Sequence, residues 1–183
     1  MKKLYVFILI VTLSFFGVWL GKNIVLLYNS KNRIAEQIQT LPKTFFSSPV
    51  GDTIYIDEFD LRKTLVMIYF HPECEHCQYE AQEIGQNAIA FNSCQLLMIT
   101  SDDSIPRVED FCNKYHLWEL ENFEILLDKQ NRFKEVFGKA VIPSVYIYDK
   151  ERKLKKQFFG ETKLEAIIAE IGSESDTLFL ENK

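Results

Sequence analysis

Two seven-residue apolar runs, TLVMIYF at 64–70 and CQLLMIT at 94–100, contain no charge and read as strands buried on both faces. Between them the apolar positions change to helical spacing. Cys77, Ala81, Ile84, Ala88 and Phe91 recur at steps of three and four, while Gln78, Gln82, Glu83, Gln86 and Asn87 take the other side. The pattern predicts a helix with Cys77 on its first turn. After the second run, Ser104 as N-cap and Pro106 in the first turn open a helix with Val108, Phe111, Cys112 and Tyr115 on one face. A third strand is expected over 123–127, then a turn and short helix over 128–137. A strand over 141–149 opens on a proline and pairs with 154–159 across a turn at 149–152. Thr162 and Glu165 are a candidate capping box for a last helix, with Leu164, Ile167, Ile168 and Ile171 inward and Gly172 at its end. Ahead of the first buried run, FFSSPVGDTIYI (45–56) reads as one or two short strands around a Gly-Asp turn.

Strand, helix, strand, helix, strand, then a hairpin and a helix describes an α/β sandwich around a central mixed β-sheet, parallel first and antiparallel last. The chain starts differently. Lys2 and Lys3 precede seventeen uncharged residues, 4–20. No small-residue cleavage pattern follows, since Trp19, Leu20, Gly21, Lys22 and Asn23 come next, so an uncleaved membrane anchor is expected rather than an export signal that is removed. The two lysines would stay cytoplasmic and the remainder would face outward. Residues 29–43 are mostly polar, with Ile34, Ile38 and Leu41 at helical intervals, and read as a stalk ended by Pro42. The expected division is therefore an anchor at 1–28, a stalk at 29–43, a domain at 44–172 and a tail at 173–183.

A length of 183 residues, 47% hydrophobic and 26% charged, suits one globular domain plus this appendage. Fifteen Phe and eight Tyr supply enough apolar surface for a core without disulfide staples. A net charge of -5 argues against nucleic acid as a partner.

Candidate chemistry is concentrated in FHPECEHCQYE (70–80), at the carboxyl end of the first buried strand, where open α/β sheets place their sites. Two thiols separated by two residues at a helix start are close enough to form a disulfide. The first is presented to the unpaired N–H groups of that turn, which favour its thiolate. Cys74 is thus the expected nucleophile, and Cys77, more enclosed, the resolving thiol. His76 would favour the reduced pair, whereas Glu73 and Glu75 act in the opposite sense. Cys94 and Cys112 read as small core hydrophobes, although a second disulfide between them is an open alternative.

Strand, C-x-x-C at a helix start, and Ile142-Pro143 opening a later strand resemble the thioredoxin fold, a three-layer sandwich. The extended N-terminal strands, the additional strand and helix over 94–115 and the N-terminal anchor resemble the TlpA and ResA-like branch of membrane-tethered thiol-disulfide oxidoreductases, which overlaps the redoxin group. The resemblance covers about residues 44–171. It implies a single-pass protein of the cytoplasmic membrane with its domain in the periplasm or extracytoplasmic space. Its redox group would be the Cys74–Cys77 disulfide with no separate cofactor, its substrates cysteine-containing proteins, and its redox state would be restored by a membrane or extracytoplasmic partner. It also implies a cis Pro143 that, with Ile142, binds the substrate strand. Glu80 matches the acidic residue three places after the second cysteine and would exchange protons with Cys77; the alternative is a solvated helix glutamate. This chain departs from the family pattern at Glu73 and His76, where Trp and Pro are frequent, and at Ile68, where thioredoxin has a buried Asp.

Two rival chemistries share the motif. A thiol peroxidase of the peroxiredoxin class needs P-x-x-x-T-x-x-C, and Met67 and His71 stand at its Pro and Thr positions. A copper or zinc module would use Cys74, Cys77 and His71 or His76, with His116 as a distant donor, although the copper-delivery spacing is C-x-x-x-C.

Overall fold

A computed structural model describes residues 2–59 and 62–180. Among these residues seven strands form one sheet, in the order Thr53–Tyr55, Phe45–Ser47, Phe123–Leu127, Cys94–Thr100, Thr64–Phe70, Ser144–Tyr148 and Leu154–Phe159. The two apolar runs are β3 (Thr64–Phe70) and β4 (Cys94–Thr100), paired in parallel from Thr64↔Cys94 to Phe70↔Thr100. β5 (Phe123–Leu127) continues the parallel set beside β4. On the other side of β3, β6 (Ser144–Tyr148) runs antiparallel, and β7 (Leu154–Phe159) closes that edge. β1 (Phe45–Ser47) and β2 (Thr53–Tyr55) form a hairpin around Gly51, whose φ of 99° suits the residue without a Cβ.

Alternation along β3 divides the core. Val66, Ile68 and Phe70 face α2 (Glu75–Gln86), α3 (Ile105–Lys114) and α5 (Leu164–Leu180), joining Cys77, Ala81, Ile84, Phe111, Cys112 and Ile167 in one buried cluster. On the opposite face the ring of Tyr69 stacks 4.1 Å from Phe133 of α4 (Arg132–Phe137), and Tyr146 meets Phe137 at 5.1 Å. The result is the thioredoxin-like α/β fold, three layers around a mixed sheet. Asp128 sets the start of α4, its carboxylate accepting from the N–H groups of Arg132 and Phe133 at 2.7 and 3.1 Å.

Several boundaries differ from the expected ones. α2 stops at Gln86, and Ala88–Phe91 continues as a 3₁₀ turn that still delivers Phe91 to the core. The capping box does not form: Thr162 donates its hydroxyl to the Gly160 carbonyl, and α5 begins at Leu164. α5 also runs through Gly172, whose φ is not left-handed, to Leu180. The side chains of 173–180, and residues 181–183, on which the expected tail falls, lie outside the described residues. At the other end, Ile38 and Leu41 are buried, Thr40 bridges to Lys153, and the Tyr148 hydroxyl donates to the Ile38 carbonyl at 3.0 Å. Residues 38–41 therefore pack as part of the domain.

The N-terminal unit, Met1–Glu36, carries helix α1 (Lys2–Gln37). Among the described residues no helix is long and apolar enough to cross a membrane. From Thr12 onward α1 carries Lys22, Lys31, Arg33 and Glu36, which interrupt its apolar surface although Phe15, Phe16 and Trp19 stand exposed. The first half of the uncharged run, 4–11, falls on side chains outside the described residues except for Phe7.

Candidate active site

β3 ends at Phe70, and the chain turns through His71, Pro72 and Glu73 into α2. Cys74 is the N-cap residue, with φ -81° and ψ 119°, and its side chain makes no capping bond. Its N–H donates to the His71 carbonyl at 3.0 Å, and its carbonyl accepts from Gln78 N–H at 2.9 Å. The Gln78 amide reaches back to the Pro72 carbonyl at 2.8 Å, so the loop before Cys74 is tied to the helix after it. These bonds leave the Cys74 sulfur half-exposed at the mouth of α2, whereas Cys77, 1% exposed, points into the core. Both thiols are free, and Cys74 lies near enough to help hold the Cys77 thiol protonated.

The two sulfurs are electrostatically unequal because their surroundings differ. Burial pushes the Cys77 thiol far above the ordinary range. The His71 backbone works against that shift, while Cys74 and the charge of Glu80 add to it. Glu80 is buried, at 3% exposure, which separates the two readings of its environment in favour of the enclosed one. Burial first, then the neighbouring charge of Glu161, pushes its carboxyl up to about 8. Neither carboxyl oxygen has a hydrogen-bond partner; the Thr162 backbone is close enough to favour the charged form without reaching bonding geometry.

β6 brings in the remaining predicted residues. Ser144 pairs with Tyr69, so the start of β6 lies beside the end of β3 from which Cys74 emerges. The Ile142–Pro143 peptide is cis. Pro143 is buried, its carbonyl accepting from Gly160 N–H at 2.8 Å, while Ile142 is half-exposed. Glu75 is exposed on the first turn of α2. His76 is turned outward to Glu161, its Nδ1 2.5 Å from Oε2.

Three participants escape the sequence reading. Glu161 comes from the loop after β7, 85 residues beyond its partner His76. Asp102 and Arg107 come from the β4–α3 region. Arg107 Nη1 lies 3.0 Å from Asp102 Oδ2 and 3.3 Å from Glu73 Oε1, tying the loop before Cys74 to α3. Asp102 is almost wholly buried and accepts from Ser104 N–H at 2.9 Å; its spacing to Ser104 ahead of a helix is the only local sign of it. His71 accepts from Glu73 N–H through Nδ1 at 3.2 Å and faces Asp102 with Nε2 at 3.8 Å.

Cys94 and Cys112 are free, fully buried and part of the core; burial pushes both thiols up to about 12. Among the described residues no group of three or more His, Cys, Asp or Glu side chains is placed to hold a metal. His116 pairs with Glu119 at 2.8 Å and lies beside Gly85. Eleven residues of helix at 1.5 Å each put that position roughly 16 Å from Cys74, so His116 is not a third donor to the cysteine pair.

The family model described as AhpC/TSA matches residues 39–157. The chain belongs to the AhpC/TSA family. Solved structures share the fold of this AhpC/TSA member. MTB DsbF is 22% identical, with a TM-score of 0.61 over 75% of this chain and 96% of its own. A secreted Mycobacterium tuberculosis disulfide oxidoreductase homologous to E. coli DsbE is 17% identical, with a TM-score of 0.59 over 75% and 98%. A peroxiredoxin-like protein from Aquifex aeolicus is 13% identical, with a TM-score of 0.60 over 74% and 85%. No curated protein matches the chain. Family and fold together make this AhpC/TSA member a thioredoxin-like oxidoreductase.

Proposed function

We propose that the chain is a TlpA/ResA-like thiol-disulfide oxidoreductase, anchored in the cytoplasmic membrane with its domain outside, that exchanges disulfides with cysteine-containing proteins through Cys74 and Cys77. The observation that carries this reading is the inequality of the two thiols: a half-exposed cysteine at a helix N-terminus with a buried one three residues on. In the reducing direction the Cys74 thiolate attacks a substrate disulfide, forming a Cys74–substrate bond as the substrate's other sulfur leaves with the electron pair. Cys77 then loses its proton to the ionised Glu80 and attacks the Cys74 sulfur. The second substrate thiolate leaves, and the two electrons have passed from the cysteine pair to the substrate. Oxidation of a substrate runs the same steps backward, with protonated Glu80 returning its proton to the departing Cys77 sulfur. The redox group is the cysteine pair itself. Ile142 and Pro143, beside the end of β3, line the path of a substrate strand, while Glu75 and His76 tune the pair.

A membrane or extracytoplasmic thiol carrier restores the starting state. The anchor reading rests on the uncharged residues 4–20 behind Lys2 and Lys3, and the two lysines favour an outward-facing domain. Equilibration with glutathione buffers tests the function. One reversible Cys74–Cys77 disulfide and catalysed reduction of insulin disulfides, both lost in Cys74→Ser, are expected. A wild-type chain that alkylates normally but catalyses no exchange overturns the reading, and tight redox-independent Cu(I) or Zn(II) binding in its place would favour a metal module. Stoichiometric consumption of hydrogen peroxide by the reduced pair would favour a peroxidase.

A further inference from the structure

His76 and Glu80 stand four residues apart on α2 and therefore share one helical face. That face is turned toward the segment entering α5, with which α2 packs. Glu161 occupies this segment directly after Gly160, whose φ of 85° turns the chain out of β7. On one side Glu161 meets His76 at 2.5 Å, with both side chains open to solvent. On the other, its charge acts on Glu80, one turn along α2 from His76, whose two carboxyl oxygens are buried without a hydrogen-bond partner.

We propose that Glu161 is a positioning residue that couples the solvent-facing His76, inside the C-x-x-C motif, to the buried proton carrier Glu80. The coupling rests on the functional reading above for its meaning in disulfide exchange. Its physical basis is separate. Glu161 carries one negative charge that His76 partly neutralises when protonated. The charge felt by Glu80 is thus smaller when the His76–Glu161 pair is intact and larger when His76 is neutral or removed. The groups facing Glu80 are Cys77 from its own helix and Glu161 and the Thr162 backbone from the α5 entry. Its ionisation is consequently sensitive to Glu161, and that carboxylate answers to His76.

The arrangement also accounts for a departure from the family pattern. A histidine between the cysteines is free to hold the Cys74 sulfur or to turn away. Here it turns to Glu161, so its influence reaches the buried side of the motif through a second carboxylate.

The test follows the side-chain carboxyl of Glu80 by ¹³C NMR through a pH titration of the full, reduced chain, in wild type, Glu161→Gln, Glu161→Asp and His76→Ala. Removing the like charge in Glu161→Gln should lower the Glu80 midpoint by about one pH unit. His76→Ala, which leaves Glu161 uncompensated, should raise it, and Glu161→Asp should restore it toward wild type. The pH dependence of mixed-disulfide resolution should move in step. A folded Glu161→Gln protein with an unmoved Glu80 midpoint overturns the coupling. If the midpoint moves but the wild-type chain exchanges no disulfides, the coupling stands and the functional reading above fails.

Discussion

Glu80 lies three residues after Cys77 on α2, and its charge helps to hold the Cys77 thiol protonated. In the proposed mechanism the same carboxylate takes that proton, so its two effects on resolution oppose each other. The charge effect is the last and smallest of the causes acting on Cys77, which makes loss of the base the dominant consequence of removing it. With its carboxyl at about 8, Glu80 is about one-tenth ionised at pH 7 and half ionised at pH 8. Resolution of a Cys74 mixed disulfide should therefore quicken about fivefold between those values. Glu80→Gln should slow it by about 10- to 100-fold and flatten the rise. Stopped-flow resolution rates from pH 6 to 9 check both points; an unchanged profile in Glu80→Gln removes Glu80 from the mechanism.

Burial of that carboxyl also makes stability depend on pH. Its folded-state pKa, about 8, is raised above the ordinary 4.5, so the folded chain binds more protons than the unfolded one between those values. The favourable contribution is fully present below pH 4.5 and is lost as pH rises through about 8, by up to about 5 kcal/mol if the whole shift is expressed. Urea unfolding at pH 6 and pH 9 should show wild type weakening on the alkaline side and Glu80→Gln weakening less. A wild type whose Glu80-dependent stability rises with pH contradicts the buried, unpartnered carboxyl.

The readable parts of the fold are those where local pattern and tertiary packing agree. Residues 64–70 and 94–100 had to be central strands because nothing polar marks a solvent face, and Cys77, Ala81 and Ile84 declared one helical face. Helix ends were less legible: α2 gives way to a 3₁₀ turn and α5 passes Gly172, each decided by packing or by chain continuing beyond the cap signal. Ile38 and Leu41 looked like a stalk because helical spacing reads the same whether an apolar side is turned to a neighbour in the domain or to nothing. In the site, Cys74, Cys77 and Glu80 share one local segment and are legible there. Glu161 and the Asp102–Arg107 pair are not, because only the fold brings the β7–α5 loop and the start of α3 to the same end of the sheet.

Thiol accessibility gives a third prediction. Cys77, Cys94 and Cys112 are buried, and burial holds all three protonated at neutral pH, while Cys74 is half-exposed. Iodoacetamide at pH 7 should therefore label one thiol per native reduced chain and four in denaturant, with the native label absent from Cys74→Ser. Peptide mass spectrometry locates it. Fast native labelling of Cys94 or Cys112 would contradict their place in the core.

Arg107 offers a test of the bridge across the site. It is a cation set between Asp102 and Glu73, and Asp102 is buried, so Arg107→Ala takes from that carboxylate its arginine partner at 3.0 Å, beneath the loop that carries Cys74. Loss of about 1–3 kcal/mol is expected, because a buried acceptor deprived of its charged partner costs more than an exposed pair contributes. Arg107→Lys should recover part of it. The stability difference between Arg107→Ala and the Asp102→Asn/Arg107→Ala double variant separates the buried charge from lost packing: if the buried charge is the cause, adding Asp102→Asn restores stability.

Two glycines in helices should respond oppositely to alanine. At Gly85 a Cβ would stand 1.9 Å from the Tyr115 carbonyl oxygen, a backbone atom that cannot swing aside, so α2 and the end of α3 must separate to admit it. Among the described residues nothing stands within 4 Å of the same position at Gly172, which lies inside α5. Helix propensity favours alanine at both sites by roughly 0.5–1 kcal/mol, and overpacking costs about 1–3 kcal/mol where there is no room. Gly172→Ala should therefore stabilise slightly. Gly85→Ala should destabilise, because the backbone clash outweighs the propensity gain. Urea midpoints of the two variants decide the matter, and a Gly85→Ala protein as stable as wild type would mean that α2 does not approach Tyr115 this closely.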